Sequence, residues 1–123
     1  MKRLLLSACA LVTAQAVLFP ALAVDAARGK QLYESVCVGC HSMEENRAGP
    51  AHRGVFGRKA GLAAGYDYSP SVRRSKVVWN EKTLDRWLAN PEGFIPGQKM
   101  GISVSAAKDR ADLIEYLREE SRR

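Results

Sequence analysis

The sequence contains few of the side chains that bind metal ions or act as nucleophiles. Among its 123 residues there are three cysteines and two histidines, and aromatic residues account for only 7%. A structural zinc site requires four ligands, commonly two Cys-x-x-Cys pairs or one such pair with two histidines. Once Cys37, Cys40 and His41 are taken together, only Cys9 and His52 remain, and Cys9 lies in a segment that we predict to be removed. The sequence therefore disfavours a zinc site.

Several organisational patterns are missing as well. The chain has no internal repeat, no low-complexity tract and no alternating strand pattern around residues 33–43, where two of its cysteines lie close together. A redox disulfide of the thioredoxin type is expected beside a β-α-β pattern. The sequence therefore disfavours that type of site too.

The first 23 residues have the features of a secretory signal peptide. Lys2 and Arg3 form a positive start, an uncharged and largely apolar run follows, and a small-x-small cleavage site ends at Ala23. Cleavage there leaves residues 24–123 as the mature chain, which we expect in a bacterial periplasm. The apolar run is also about long enough to span a bilayer. Retention as a membrane anchor is therefore the alternative to cleavage.

The mature chain is predicted to be a single small domain with a basic surface. A length of about 100 residues suits one domain whose core is only marginally stable by itself. The formal net charge of +6 falls to +4 when Lys2 and Arg3 are removed. Such an excess favours partners with acidic surfaces and fast electrostatic steering at low salt. Nucleic acid is not an expected partner, because the basic residues are dispersed and the chain is predicted to be exported.

The segment Cys37-Val38-Gly39-Cys40-His41 is typical of a covalent haem-attachment site. Each thiol can add across one vinyl group of the haem, and the adjacent histidine can bind the iron through its free ring nitrogen. In an oxidising compartment Cys37 and Cys40 would otherwise form a disulfide with each other. We therefore predict one covalently bound haem c, with His41 as the first axial ligand.

Apolar residues recur at helical spacing in three segments, each preceded by a residue that can cap a helix. The caps and helices are Asp25 before residues 26–36, Asn80 before residues 81–89, and Ser105 before about residues 108–119. Gly29 lies inside the first helix, where it costs up to about 1 kcal/mol relative to alanine. Its presence predicts a close crossing between the first and last helices.

The remaining segments, residues 43–78 and 91–104, hold eight of the ten glycines and all four prolines of the mature chain. Loops of that length in a small domain need something to wrap around. We therefore predict an all-α fold of about three to five helices, with long loops around one haem.

Met43, Met100 and His52 are the candidates for the second axial ligand. Met100 ends a loop rich in proline and glycine that starts at Asn90, and this stiff loop is far enough from His41 in sequence to reach the opposite haem face. Met43 is only two residues beyond His41 and cannot reach that face. We predict Met100, whose thioether would stabilise ferrous iron and raise the reduction potential. His52 remains the alternative.

Taken together, these motifs resemble the class I cytochrome c family, close to its mitochondrial and bacterial electron carriers. The resemblance covers residues 29–117. The segments that carry it are Gly29 with Tyr33, Cys37 to His41, Gly49-Pro50, Val55-Phe56-Gly57-Arg58-Lys59, Gly65-Tyr66-Asp67-Tyr68, Trp79, Asn90 to Met100, and Arg110 to Leu117. It implies a cytochrome c fold and a one-electron carrier rather than an enzyme.

The resemblance also implies roles for individual residues. The carbonyl of Pro50 is expected to accept the second ring N–H of His41, which orients the ring and raises its basicity. Arg58, Tyr68 and Trp79 are expected to surround a buried haem propionate, because a buried charge needs donors or a counter-ion.

The resemblance further implies that basic residues surround the exposed haem edge, namely Lys99 and some of Arg47, Arg73 and Arg74. Five positions, in four places along the chain, depart from the residues that the family often has. They are Val72 for an asparagine, Trp87 for a tyrosine, Gln98 for a threonine, and Glu92-Gly93 for a pair of lysines. The first three change the polarity near the iron, and the last weakens the basic surface.

We therefore predict an exported, monomeric, monohaem c-type cytochrome that exchanges electrons with redox proteins through an acidic docking surface on the partner. An oxidase, a cytochrome complex or a periplasmic dehydrogenase would fit. Two alternatives remain open. One is a haem enzyme or gas binder whose sixth position can open, and the other is a tethered electron-transfer subunit of a larger complex.

Overall fold

Five helices and the segments that connect them make up residues 23–123, which are the part of the chain that the computed structural model describes. They are α1 (Ala26–Val36), α2 (Pro70–Arg74), α3 (Glu81–Ala89), α4 (Pro91–Phe94) and α5 (Ala107–Glu120). This part of the chain has no β-strand, only an isolated antiparallel bridge between Lys59 and Val78. The predicted all-α class and number of helices are confirmed.

The predicted signal peptide, residues 1–23, lies outside the described residues except for Ala23. None of the helices in residues 23–123 has the length and apolar character needed to cross a membrane.

The first two predicted caps are present. The carboxylate of Asp25 accepts a hydrogen bond from the backbone N–H of Arg28 at 3.0 Å. Asn80 and Thr83 form a reciprocal capping box, in which each side chain accepts the backbone N–H of the other, at 3.0 and 2.8 Å. These local bonds satisfy N–H groups that have no partner within a helix. They stabilise the first turns of α1 and α3.

Two features of the helices differ from the predictions. The segments predicted as loops contain α2 and α4, which start with a proline and are capped by Ser69 and Asn90. Proline suits the first helical position, where its missing N–H is not needed. The predicted cap at Ser105 is wrong, because Ala106 occupies the N-cap of α5 without any side-chain bond. The backbone carbonyl of Ser105 instead accepts a hydrogen bond from Arg110 at 2.7 Å.

Helices α1 and α5 cross in close contact at Gly29. A Cβ atom at this position would lie 2.0 Å from the carbonyl oxygen of Asp112 and 3.0 Å from Cβ of Tyr116. Only glycine fits against the backbone of α5 at that distance. The close crossing that Gly29 predicted is therefore confirmed.

Asp112 is fully buried at this crossing, and donors from both helices bind its carboxylate. The backbone N–H of Asp25 donates at 2.8 Å, the Arg28 guanidinium at 2.7 Å and the Lys108 ammonium at 2.5 Å. Burial acts to raise the pKa of Asp112, but the hydrogen bonds from Lys108, Asp25 and Arg28 outweigh it and lower that pKa to about 2. The charged carboxylate therefore joins the start of α1 to α5.

Asp112→Asn is expected to lower the free energy of unfolding by about 2 kcal/mol at pH 7, because hydrogen bonds to charged groups contribute roughly 1.5–3 kcal/mol. The folded pKa lies below the ordinary value of 3.8. The stabilisation is therefore present above that value and is lost as the pH falls towards 2. Urea unfolding between pH 7 and pH 2.5 should show the wild-type advantage shrinking in acid.

The matched control is Asp109→Asn. Its carboxylate is partly exposed and makes an ion pair with Arg28 at 2.5 Å, so we expect a loss of less than about 1 kcal/mol. An effect of Asp112→Asn that stays constant down to pH 2.5 would contradict the assignment of this stabilisation to the charged carboxylate of Asp112.

Candidate functional site

A cavity with mostly apolar walls lies between the helices and the long loops. Its volume is about 230 Å³, and α1, α2, α3, α5 and the connecting loops line it. All eight residues that the sequence analysis assigned to the site lie on its walls. They are Cys37, Cys40, His41, Pro50, Arg58, Tyr68, Trp79 and Met100. The fold thus brings residues from distant parts of the chain to one place.

A tight turn after α1 presents the two cysteines and the histidine together. The carbonyl of Cys37 accepts the backbone N–H of Cys40 at 3.1 Å and that of His41 at 2.9 Å. Burial, with a smaller contribution from Cys40, raises the pKa of the Cys37 thiol to about 11. Before a haem is attached, this sulfur therefore faces the cavity at neutral pH as a thiol and not as a thiolate.

The imidazole of His41 is held at one edge by the loop that follows. Its Nδ1 donates to the carbonyl of Pro50 at 2.7 Å, which is the hydrogen bond that the resemblance implied. The ring also lies against Gly49, where an added Cβ would come within 2.2 Å of Cε1. Burial lowers the pKa of His41, and the bond to Pro50 offsets part of this effect. The ring is therefore neutral at pH 7, and its unprotonated Nε2 is free to bind a metal.

A second histidine packs against this one. The ring of His52 is stacked on the ring of His41, with 4.0 Å between centroids and an interplanar angle of 20°. Nδ1 of His52 is hydrogen-bonded to the hydroxyl of Tyr33 at 3.0 Å. Burial, together with His41 and Arg58, lowers the pKa of His52 to about 3, so the ring is neutral.

This geometry bears on the alternative assignment of His52 as the second axial ligand. Two ligands on opposite faces of a haem direct their nitrogen atoms at each other across the iron, and their rings do not stack. His52 lies face to face with His41 and uses its Nδ1 for Tyr33. It therefore lies beside His41 and not across the cavity from it.

The two methionine candidates differ in their position. Met100 lines the cavity, whereas Met43 is not among the described residues on its walls. The side-chain carbonyl of Gln98 accepts the backbone N–H of Met100. Glu92 accepts bonds from the Gln98 amide at 3.2 Å and the Gly97 N–H at 2.9 Å.

Sequence reasoning missed this positioning role. Gln98 and Glu92 were singled out only as departures that change polarity or weaken the basic surface. A sequence signal did exist, because a carboxylate and an amide in a turn can bind nearby backbone and side-chain donors. Which of those donors they would bind depends on how the loop folds.

One side of the cavity is polar. The Arg58 guanidinium donates to two backbone carbonyls of the preceding loop, at 2.9 and 3.1 Å. Within residues 23–123 no protein acceptor takes the hydroxyl proton of Tyr68 or the indole N–H of Trp79. These two donors and one cation line the same cavity. They suit a carboxylate that enters it, because a buried carboxylate needs donors or a counter-ion.

The cavity therefore fits the predicted prosthetic group. It offers two thiols for thioether bonds, a neutral imidazole with a free Nε2, a thioether, and polar donors on its wall. Across residues 23–123, no three histidine, cysteine, aspartate or glutamate side chains converge as a metal-binding cluster.

The predicted basic surface is partly neutralised by Asp67. This carboxylate binds Arg73 at 2.8 Å and lies 3.8 Å from Lys99. Arg47 donates to a backbone carbonyl of the cysteine turn at 3.2 Å, and Arg74 is exposed. The surface is therefore less basic than its count of cations indicates.

Comparison with known proteins agrees with the resemblance carried by the sequence motifs. Residues 26–121 match the family described as Cytochrome c. The chain is 42% identical over 97 residues to cytochrome c of Euglena viridis, an alignment that covers 76% of this chain and 95% of that protein. It is 40% identical over 102 residues to cytochrome c of Arabidopsis thaliana, covering 80% and 91% respectively. Cytochrome cH from Methylobacterium extorquens has a similar solved structure, with a TM-score of 0.74 and 39% identity over 77% of this chain and 98% of that chain.

Proposed function

The chain belongs to the cytochrome c family, and we propose that it is an exported member whose haem iron is bound by His41 and Met100. Membership makes it a haem electron carrier with one covalently attached haem c. The observation that best supports the ligand pair is the shared cavity. There the free Nε2 of His41, the Met100 side chain and both cysteines come together.

The bound haem supplies one-electron chemistry, since its iron alternates between the ferric and ferrous forms. The protein residues control the surroundings of that iron. The carbonyl of Pro50 holds the proton at Nδ1 of His41 and keeps Nε2 available as a ligand. The Met100 thioether would favour the ferrous form. The apolar walls keep water away from the iron. They further favour the ferrous form, because the ferrous haem centre carries less charge than the ferric one.

We further propose that Arg58, Tyr68 and Trp79 bind a haem propionate. Tyr68 and Trp79 would donate hydrogen bonds, and Arg58 would provide a positive charge whose position is held by two backbone carbonyls. A carboxylate in an apolar cavity is costly without such partners. These three residues would orient the haem and would not themselves react.

The test is the spectrum of the reduced protein. Dithionite reduction is expected to give a low-spin, six-coordinate haem, and the untreated ferrous protein should bind carbon monoxide slowly because both axial positions are taken. The matched control is the same sample in denaturant, where the haem stays attached but the loop ligand is released and carbon monoxide binds fast. Fast binding by the native protein would instead support a haem enzyme or gas binder with an open sixth position.

Export and partner choice belong to the same proposal. We propose that the mature, monomeric chain starts at Val24, resides in the periplasm and docks transiently on redox proteins with acidic surfaces. Its net charge of +4 after signal removal supports such docking. The amino-terminal sequence of the purified protein tests the first point, since an intact Met1 would favour a tethered subunit. Reduction by membrane and soluble fractions of the source cell, at low and high salt, tests the second, because steering by charge requires a slower rate at high salt.

A further inference from the structure

The Tyr33–His52 pair lies directly behind the proposed proximal ligand. Tyr33 is almost completely buried, and its ring packs against Tyr116 of α5 with 5.3 Å between centroids. Its hydroxyl is hydrogen-bonded to Nδ1 of His52, whose ring is stacked on that of His41. A continuous series of contacts therefore runs from the packed helices α1 and α5 to the imidazole of His41.

The hydrogen bond to Pro50 does not by itself fix the orientation of the plane of the His41 ring. A single N–H···O=C bond holds one atom of the ring, but the ring can still rock about the axis of that bond. Gly49 limits this motion along the edge formed by Nδ1, Cε1 and Nε2. A flat ring at 4.0 Å, tilted by 20°, contacts the whole face of the imidazole and opposes the rocking.

His52 is itself held in place. A side chain in a loop could rotate about its own bonds, and a stack against a rotating ring would not orient anything. The bond of its Nδ1 to Tyr33 ties His52 to α1 at 3.0 Å. Because Tyr33 is packed into the helix crossing, this anchor has little freedom.

We infer that His52 is a positioning residue which, anchored by Tyr33, fixes the plane of the His41 imidazole against the haem. This inference rests on the proposed role of His41 as an axial ligand. The plane of that ring decides how its π orbital overlaps the iron d orbitals. In the ferric protein it therefore sets how unpaired spin is distributed over the four haem methyl groups.

The test is proton NMR of the ferric, haem-loaded protein at pH 7. His52→Leu removes both the flat stacked ring and its anchor, and Tyr33→Phe removes only the anchoring hydroxyl. Both variants should change the order and spread of the haem-methyl shifts, with the larger change in His52→Leu. Tyr33 acts through His52, so the double variant should give the same shifts as His52→Leu alone.

Tyr116→Phe is the matched control. It removes a hydroxyl from the same aromatic cluster, at a residue that makes no hydrogen bond to His52. Its methyl shifts should match those of the wild type. A stable, low-spin Tyr33→Phe protein with wild-type shifts would overturn the anchoring role, and the same result for His52→Leu would overturn the inference as a whole.

Failure of this inference is distinct from failure of the proposed ligand pair. If His41 were not an axial ligand, the low-spin, six-coordinate spectrum would be missing in the wild-type protein or, with His52 bound to the iron in its place, would be lost in His52→Leu. If only the positioning role were wrong, that spectrum would be present in every variant and the methyl shifts would not move. Should His52→Leu fail to fold, His52→Gln removes the flat stacked ring in its place, and Tyr33→Phe still decides whether the anchoring hydroxyl is needed.

Discussion

Replacement of Met100 by alanine is expected to abolish the sulfur-to-iron absorption near the red end of the ferric spectrum and to lower the reduction potential. The thioether favours ferrous iron, so its loss should lower the potential by on the order of 0.1 V, within the range of about 0.8 V that axial ligands control. Alanine also leaves the sixth position open. Carbon monoxide should then bind the ferrous variant rapidly, as measured by stopped-flow absorption.

The matched control is Met43→Ala, which changes a methionine that lies close to His41 in sequence but is not among the described residues on the cavity walls. It should keep both the absorption and the potential of the wild type. Survival of the absorption in Met100→Ala would contradict the ligand assignment. Its loss in Met43→Ala would then identify Met43 as the ligand.

Gly29→Ala is expected to produce the largest loss of stability among the substitutions considered. An alanine Cβ would lie 2.0 Å from the carbonyl oxygen of Asp112, and backbone cannot move aside as a flexible side chain can. Overpacking of this kind costs about 1–3 kcal/mol and occasionally more. Alanine also improves helix propensity by up to about 1 kcal/mol. Because the clash is with backbone, we expect its cost to exceed that range, at about 4 kcal/mol. After the gain in helix propensity of about 1 kcal/mol, the net loss in the free energy of unfolding is about 3 kcal/mol.

Chemical denaturation of the haem-loaded protein measures this loss. Gln31→Ala is the control, because Gln31 is exposed on the same helix and such surface changes usually stay within about 0.5 kcal/mol. A Gly29→Ala protein as stable as the wild type would show that α1 and α5 can separate at no cost. The crossing would then not be a tight constraint on the fold.

Local signals in the sequence were sufficient where the interaction itself is local. Asp25 and Asn80 were predicted as caps because a cap bonds to a backbone N–H three residues away. Ser105 misled for the opposite reason. A side chain suited to capping does not decide where a helix begins, and the chain enters α5 at Ala106 instead. The short helices α2 and α4 were missed since each extends for too few residues to show periodicity.

The proposed site does not follow this rule throughout. The cysteine turn and the hydrogen bond from His41 to Pro50 were anticipated, the first from five consecutive residues and the second from the family resemblance. The bond between Gln98 and Met100 was not anticipated, although the two residues are close in sequence. Nothing in the composition of a turn specifies which of several donors an amide will bind.

The sequence by itself determined how the haem is attached. The two thiols and the imidazole have the required spacing within five consecutive residues, so no distant part of the chain is needed. The sequence also determined the close helix crossing, since glycine inside a helix has a cost that a tight contact explains. Only the tertiary structure decided what surrounds His41. Tyr33 and His52 are 19 positions apart, and they meet because α1 packs into the core beside the loop that carries His52.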